Sequence, residues 1–70
     1  MNKEISDRKV LIVDDEAMIR ESLEGIFLDE NWLVYLEESG FKALDFLKRN
    51  KVDLVLLDIW MEPVFRKKRI

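Results

Sequence analysis

The chain has no cysteine and no histidine, and only one proline and two glycines among its 70 residues. Without cysteine there are no disulfides, thiolate metal sites or cysteine nucleophiles, and a reducing compartment, the cytoplasm, is the expected location. Without either residue, a metal ion would have to be held by oxygen. The two glycines, Gly25 and Gly40, form no glycine-rich turn after the first strand, which excludes dinucleotide binding. Long apolar runs are missing too: nothing approaches the ~20 residues that span a bilayer. The opening "MNKEISDRK" lacks the apolar centre of a signal peptide, so the chain is expected to be neither inserted nor exported.

What is present is globular. Hydrophobic residues make up 49% and charged residues 39%, a balance that supports a core, although a chain this short buries only about 60% of its unfolded surface. One domain is the limit. The net charge of -3 conceals an acidic body: four of the twelve basic residues sit in "RKKR", Arg66 to Arg69, and the other eight face fifteen acidic ones, a net of -7. Such a body repels nucleic-acid phosphates, and the basic run is read as solvated rather than as a nucleic-acid site.

Strand and helix patterns alternate. "KVLIV", Lys9 to Val13, is a β-branched run that stops at Asp14 and Asp15. From Glu16 to Glu30 the period is helical, with Ile19, Leu23, Ile26 and Phe27 on one face and Arg20, Glu21 and Glu24 opposite. "WLVYL", Trp32 to Leu36, reads as a second strand and "EESG" as a turn. Ser39 is placed to cap a helix over Phe41 to Arg49, with Ala43, Leu44 and Leu47 on one side and Asn50 near the C-cap. Asp53 to Asp58 is the third strand. Met18 and Met61, and the aromatics Phe27, Trp32, Phe41 and Phe46, are expected to pack in the interior.

The order β-α-β-α-β, with connections too long for hairpins, predicts an α/β fold with parallel strands and right-handed crossovers. Ligands of open parallel sheets bind beyond the carboxyl ends of the strands. If strands one and three are neighbours, Asp14, Asp15 and Asp58 meet at that edge. Three anions so close repel one another unless a cation neutralises them, and magnesium suits an all-oxygen set. An acid after a strand also caps helices, and each aspartate alone admits that role; the three together favour the cation.

The segments "VLIVDDE" (Val10 to Glu16), "ESGFKAL" (Glu38 to Leu44) and "DLVLLDIWM" (Asp53 to Met61) resemble, in order and spacing, the first half of a response-regulator receiver domain of two-component signalling. The "DIW" is similar to receivers that precede nitrogen-regulation type, sigma-54-dependent activators. The resemblance implies the β-α-β-α-β half of a flavodoxin-like fold with sheet order 2-1-3. It implies that Asp58 is the phosphoacceptor, that Asp14 and Asp15 are the acidic magnesium-binding pair, and that the Trp60 backbone carbonyl is a further ligand beside Asp58. It implies a sensor histidine kinase as partner, and a signalling module rather than an enzyme. A magnesium-dependent phosphatase with an aspartate nucleophile would usually carry a second aspartate where this chain has Trp60.

Beyond Met61 the likeness fades. The family's hydroxyl residue after strand four and lysine after strand five have no counterpart, and Glu62 followed by Pro63 and "VFRKKRI" departs from its loop. The expectation is a truncated receiver over residues 1–61 and a basic tail, foreign to the family, over 62–70. By the family's strand order, strand three is then an open edge, expected to pair antiparallel with its copy in a two-fold dimer. The alternative reading is a self-associating fragment in which the acids are idle.

Overall fold

The computed structural model describes residues 7–58. Ile59, the expected ligand Trp60, Met61 and the basic tail lie outside them. The elements run β1 (Lys9–Val13), α1 (Ala17–Asp29), β2 (Leu33–Glu37), α2 (Gly40–Arg49) and β3 (Leu54–Leu57). All strand pairs are parallel, in the order β2-β1-β3. The expected α/β topology is therefore the observed one, with strand and helix ends displaced by about one residue.

The central strand carries the core. Val10, Leu11, Ile12 and Val13 are fully buried or nearly so, because among the described strands β1 alone has a neighbour on each side, with a helix over each face. Leu11 and Val13 pack with Ala43 of α2, and Phe46 and Val52 close around them. In register, Tyr35 of β2 and Val55 of β3 flank Leu11, and Tyr35 meets Phe46 with ring centroids 5.1 Å apart. Val10 and Ile12 alternate to the opposite face. The connections β1-α1-β2 and β2-α2-β3 run in opposite directions across the sheet, so right-handed crossovers put α1 on that second face.

Local chemistry sets the ends of the helices. Ser39 is extended and its Oγ accepts from the Lys42 amide at 3.2 Å, the cap its position suggested. At the other end of α2, the Asn50 side-chain amide donates to the Phe46 carbonyl, and Lys48 and Arg49 complement the helix dipole. The end of α1 is a Schellman turn. Asn31 takes φ 68°, its amide donates to the Leu28 carbonyl, and the Trp32 amide donates to the Phe27 carbonyl. The hydrophobic contact that accompanies this motif is the T-shaped pair of Phe27 and Trp32 at 5.2 Å, with the Arg8 guanidinium 4.6 Å from the Trp32 ring. Trp32 thus belongs to the turn, and β2 starts at Leu33.

Several burial expectations fail for a geometric reason. In α1 the stripe that meets the sheet is Arg20, Leu23, Glu24 and Phe27, all half-buried, whereas Ile19 and Ile26 face outward and are exposed. Met18 is 78% exposed and Phe41 72%, so neither packs in the interior. In α2 the narrow positions Gly40 and Ala43 approach the sheet, which turns Phe41, Leu44 and Leu47 outward. Leu54, Val55 and Leu57 of β3 are each about two-fifths exposed, because among the described residues β3 has a strand on one side only.

Candidate functional site

The backbone alone brings the acids together. Val13 pairs with Leu57, and one residue further the two parallel strands end on Asp14 and Asp58 at the same level. The ladders extend just far enough to hold both: the Asp14 amide donates to the Glu37 carbonyl at 3.2 Å, and the Asp58 amide donates to the Val13 carbonyl at 3.1 Å. Adjacent strands lie about 4.8 Å apart, so acids at this level cannot avoid one another.

Asp14 is buried, Asp58 half-buried and Asp15 exposed, and one carboxylate oxygen from each lies within 4.8 Å of the others. Burial of a carboxylate is unfavourable unless hydrogen bonds compensate it. Asp14 Oδ1 accepts from the Glu16 amide at 2.9 Å, an Asx turn that serves the first free amide before α1, where the Glu16 side chain makes no cap of its own. Asp14 therefore both turns the chain into α1 and stands in the cluster. The helix-capping role that the sequence offered as an alternative is not the one Asp14 takes: the N-cap is Glu16, without a side-chain cap, and Asp14 bonds the Glu16 amide in a turn ahead of the helix.

One side chain that periodicity assigned to the outer face of α1 turns inward. Arg20 is half-buried and its Nη1 donates to the Asp14 carbonyl at 2.7 Å. The available signal was its spacing: a long cation six positions after the acid can reach back over the first helical turns. Nearby, the Lys42 ammonium meets Glu38 at 2.7 Å on the surface. Its hydrogen bond and charge hold the Glu38 carboxyl below its ordinary value, and the same contact holds Lys42 above its own.

The donor set is chemically uniform. Three carboxylates converge with no nitrogen or sulfur ligand beside them, which fits a hard, oxygen-seeking divalent cation such as magnesium better than zinc or copper. The site sits beyond the carboxyl ends of β1 and β3, the end of an open parallel sheet at which ligands characteristically bind.

Comparison with known proteins bears on the family of the chain. The family model for the response regulator receiver domain matches residues 10–64. The chain is 38% identical over 53 residues to response regulator MprA of Mycobacterium sp. (strain KMS), a match that covers 76% of this chain and 23% of that protein. It is 40% identical over 53 residues to sporulation initiation phosphotransferase F of Bacillus subtilis, covering 76% of this chain and 43% of the relative. A third relative, protein-glutamate methylesterase/protein-glutamine glutaminase 2 of Rhodopseudomonas palustris, is 37% identical over 54 residues, or 15% of its length. The chain thus spans less than half of each of these relatives. No solved structure matches it significantly. No helix among the described residues is long and apolar enough to cross a membrane.

Proposed function

The chain belongs to the response regulator receiver domain family, and from that premise we propose that it is a phosphoryl-accepting module of a phosphorelay, with Asp58 as the acceptor. The observation that carries this reading is the meeting of Asp14, Asp15 and Asp58 within 4.8 Å beyond adjacent parallel strands. Asp14 and Asp15 would hold a magnesium ion together with Asp58, and the Trp60 carbonyl is proposed as a further ligand. When bound, that ion supplies charge neutralisation for an anionic donor.

The chain's own part in the reaction is nucleophilic. A carboxylate oxygen of Asp58 attacks phosphorus, an acyl-phosphate O–P bond forms, and the donor's P–N bond breaks with its electron pair returning to the imidazole. The chain contains no histidine, so the phosphohistidine is supplied by a partner, a sensor histidine kinase. Asp58 is suited to the attack because its amide is fixed on the Val13 carbonyl while its side chain is only half-buried.

Intact-mass labelling with acetyl phosphate, followed by peptide mapping, tests the proposal. The expected result is one phosphoryl group on Asp58, formed with magnesium, abolished by chelation and absent from Asp58→Asn. Modification that persists in Asp58→Asn, or none under any condition, overturns it.

A second reading rests on a different observation, the two-fifths exposure of Leu54, Val55 and Leu57 on the edge strand. An edge with apolar side chains on both faces and backbone groups directed outward is a template for another strand. A second copy paired antiparallel through β3 would cover it. Sedimentation at micromolar concentration is expected to show a dimer, and a well-folded monomer there contradicts this pairing.

A further inference from the structure

Asp14 is held at three points. Its amide donates to the Glu37 carbonyl, its Oδ1 accepts from the Glu16 amide, and its carbonyl accepts from Arg20 Nη1 at 2.7 Å. The first contact continues the β1–β2 ladder and the second begins α1, so both are explained by the fold. The third is not. A half-buried arginine is drawn back along its own helix to a single backbone oxygen, when its long side chain could lie in solvent.

The position of that oxygen gives the contact its meaning. The Asp14 carbonyl belongs to the peptide that joins Asp14 to Asp15, and the peptide is planar and rigid. Fixing the carbonyl fixes that plane; with the Asp14 amide also anchored it sets the backbone of Asp14, and it narrows the range open to Asp15. The contact also sets a permanent positive charge on the backbone of Asp14, one of the three clustered acids. That charge extends to the β2–α2 turn, where Glu38, held down mainly by its hydrogen bond and charge interaction with Lys42, also feels Arg20.

We propose that Arg20 is a positioning residue: its hydrogen bond to the Asp14 carbonyl directs Asp14 and Asp15 toward the cation that they share with Asp58. The inference rests on the cation reading of the three carboxylates.

The test is calorimetric titration of magnesium into the whole chain and into Arg20→Ala, Arg20→Lys and Arg20→Gln, with amide hydrogen exchange at Glu16 measured in the metal-free proteins. Partners that orient metal ligands typically alter affinity by 10–100-fold, so Arg20→Ala is expected to weaken magnesium binding by about that factor. Arg20→Lys, a cation without the planar fork, falls between Arg20→Ala and the parent chain. Glu16 exchange accelerates in Arg20→Ala, because the turn that holds it is released. Leu23→Ala, which loosens the packing of α1 away from the turn, lowers stability at unchanged magnesium affinity. Should Arg20→Ala unfold, Arg20→Lys and Arg20→Gln carry the comparison. Magnesium affinity within about twofold of the parent in all folded Arg20 variants overturns the inference alone. A parent chain that binds no magnesium overturns the cation reading and this inference with it.

Discussion

At the scale of single residues, the structure separates positions where side-chain chemistry is required from those where it is incidental. Asn31 occupies left-handed backbone at φ 68°. Asn31→Val is therefore expected to destabilise the chain by about 1–2 kcal/mol, and Asn31→Gly to leave it near neutral, both measured by urea denaturation. Gly25 is the opposite case: it lies within α1 with open space where a Cβ would stand. Gly25→Ala is expected to stabilise by about 0.5–1 kcal/mol in the same assay. Asp14 and Asp58 were legible because each directly follows a strand and the parallel register sets them level, with Asp15 next in the chain. Arg20 was not legible. Helical period alone put it with Glu21 and Glu24 on the polar side, and only the direction of the chain after Asp14 shows that its guanidinium can return to that carbonyl.

At the scale of elements, β1 and the N-terminus of α2 carry clear predictions. Leu11 is fully buried between α2 and the flanking strands, so Leu11→Ala is expected to cost about 2–5 kcal/mol, which in so short a chain approaches the whole stability. The Glu38–Lys42 pair at the start of α2 gives a pH dependence. Lys42 lowers the Glu38 pKa from 4.5, so Glu38's contribution is present above that value and is lost as pH falls through the lowered one. Glu38 raises the Lys42 pKa from 10.5, so the Lys42 contribution is present below that value and lost as pH rises through the raised one. The stability difference between the chain and Lys42→Met should therefore be flat around neutrality, vanish at both extremes and shrink with salt, since the pair is exposed. The elements themselves were legible because Val10 to Val13 and Leu54 to Leu57 are continuous apolar runs, and because Ser39 and Asn50 punctuate α2 as their side chains allow. The buried faces were less so. An amphipathic helix shows a stripe wider than any one sheet contact, and which part of it meets the sheet depends on crossover geometry, as Ile19, Ile26 and Phe41 demonstrate.

At the scale of the molecule, the three-stranded sheet of the described residues, buried along β1 from Val10 to Val13, presents its acids on one edge and an apolar strand along its side. The two features make separable demands on experiment. Val55→Lys places a charge on the exposed edge, away from the acids, and is expected to shift the sedimentation equilibrium toward monomer while leaving phosphorylation of Asp58 in place. The acidic edge is tested most directly by the fluorine NMR signal of beryllofluoride, a phosphoryl mimic whose capture at Asp58 would depend on the neighbouring acids acting as one cation site. A bound resonance is expected that appears only when magnesium is added, and that is lost in Asp58→Asn and strongly weakened in Asp15→Asn. A bound signal of equal strength without magnesium or in Asp15→Asn, or none from the intact chain with magnesium present, would contradict the claim that these three carboxylates work together.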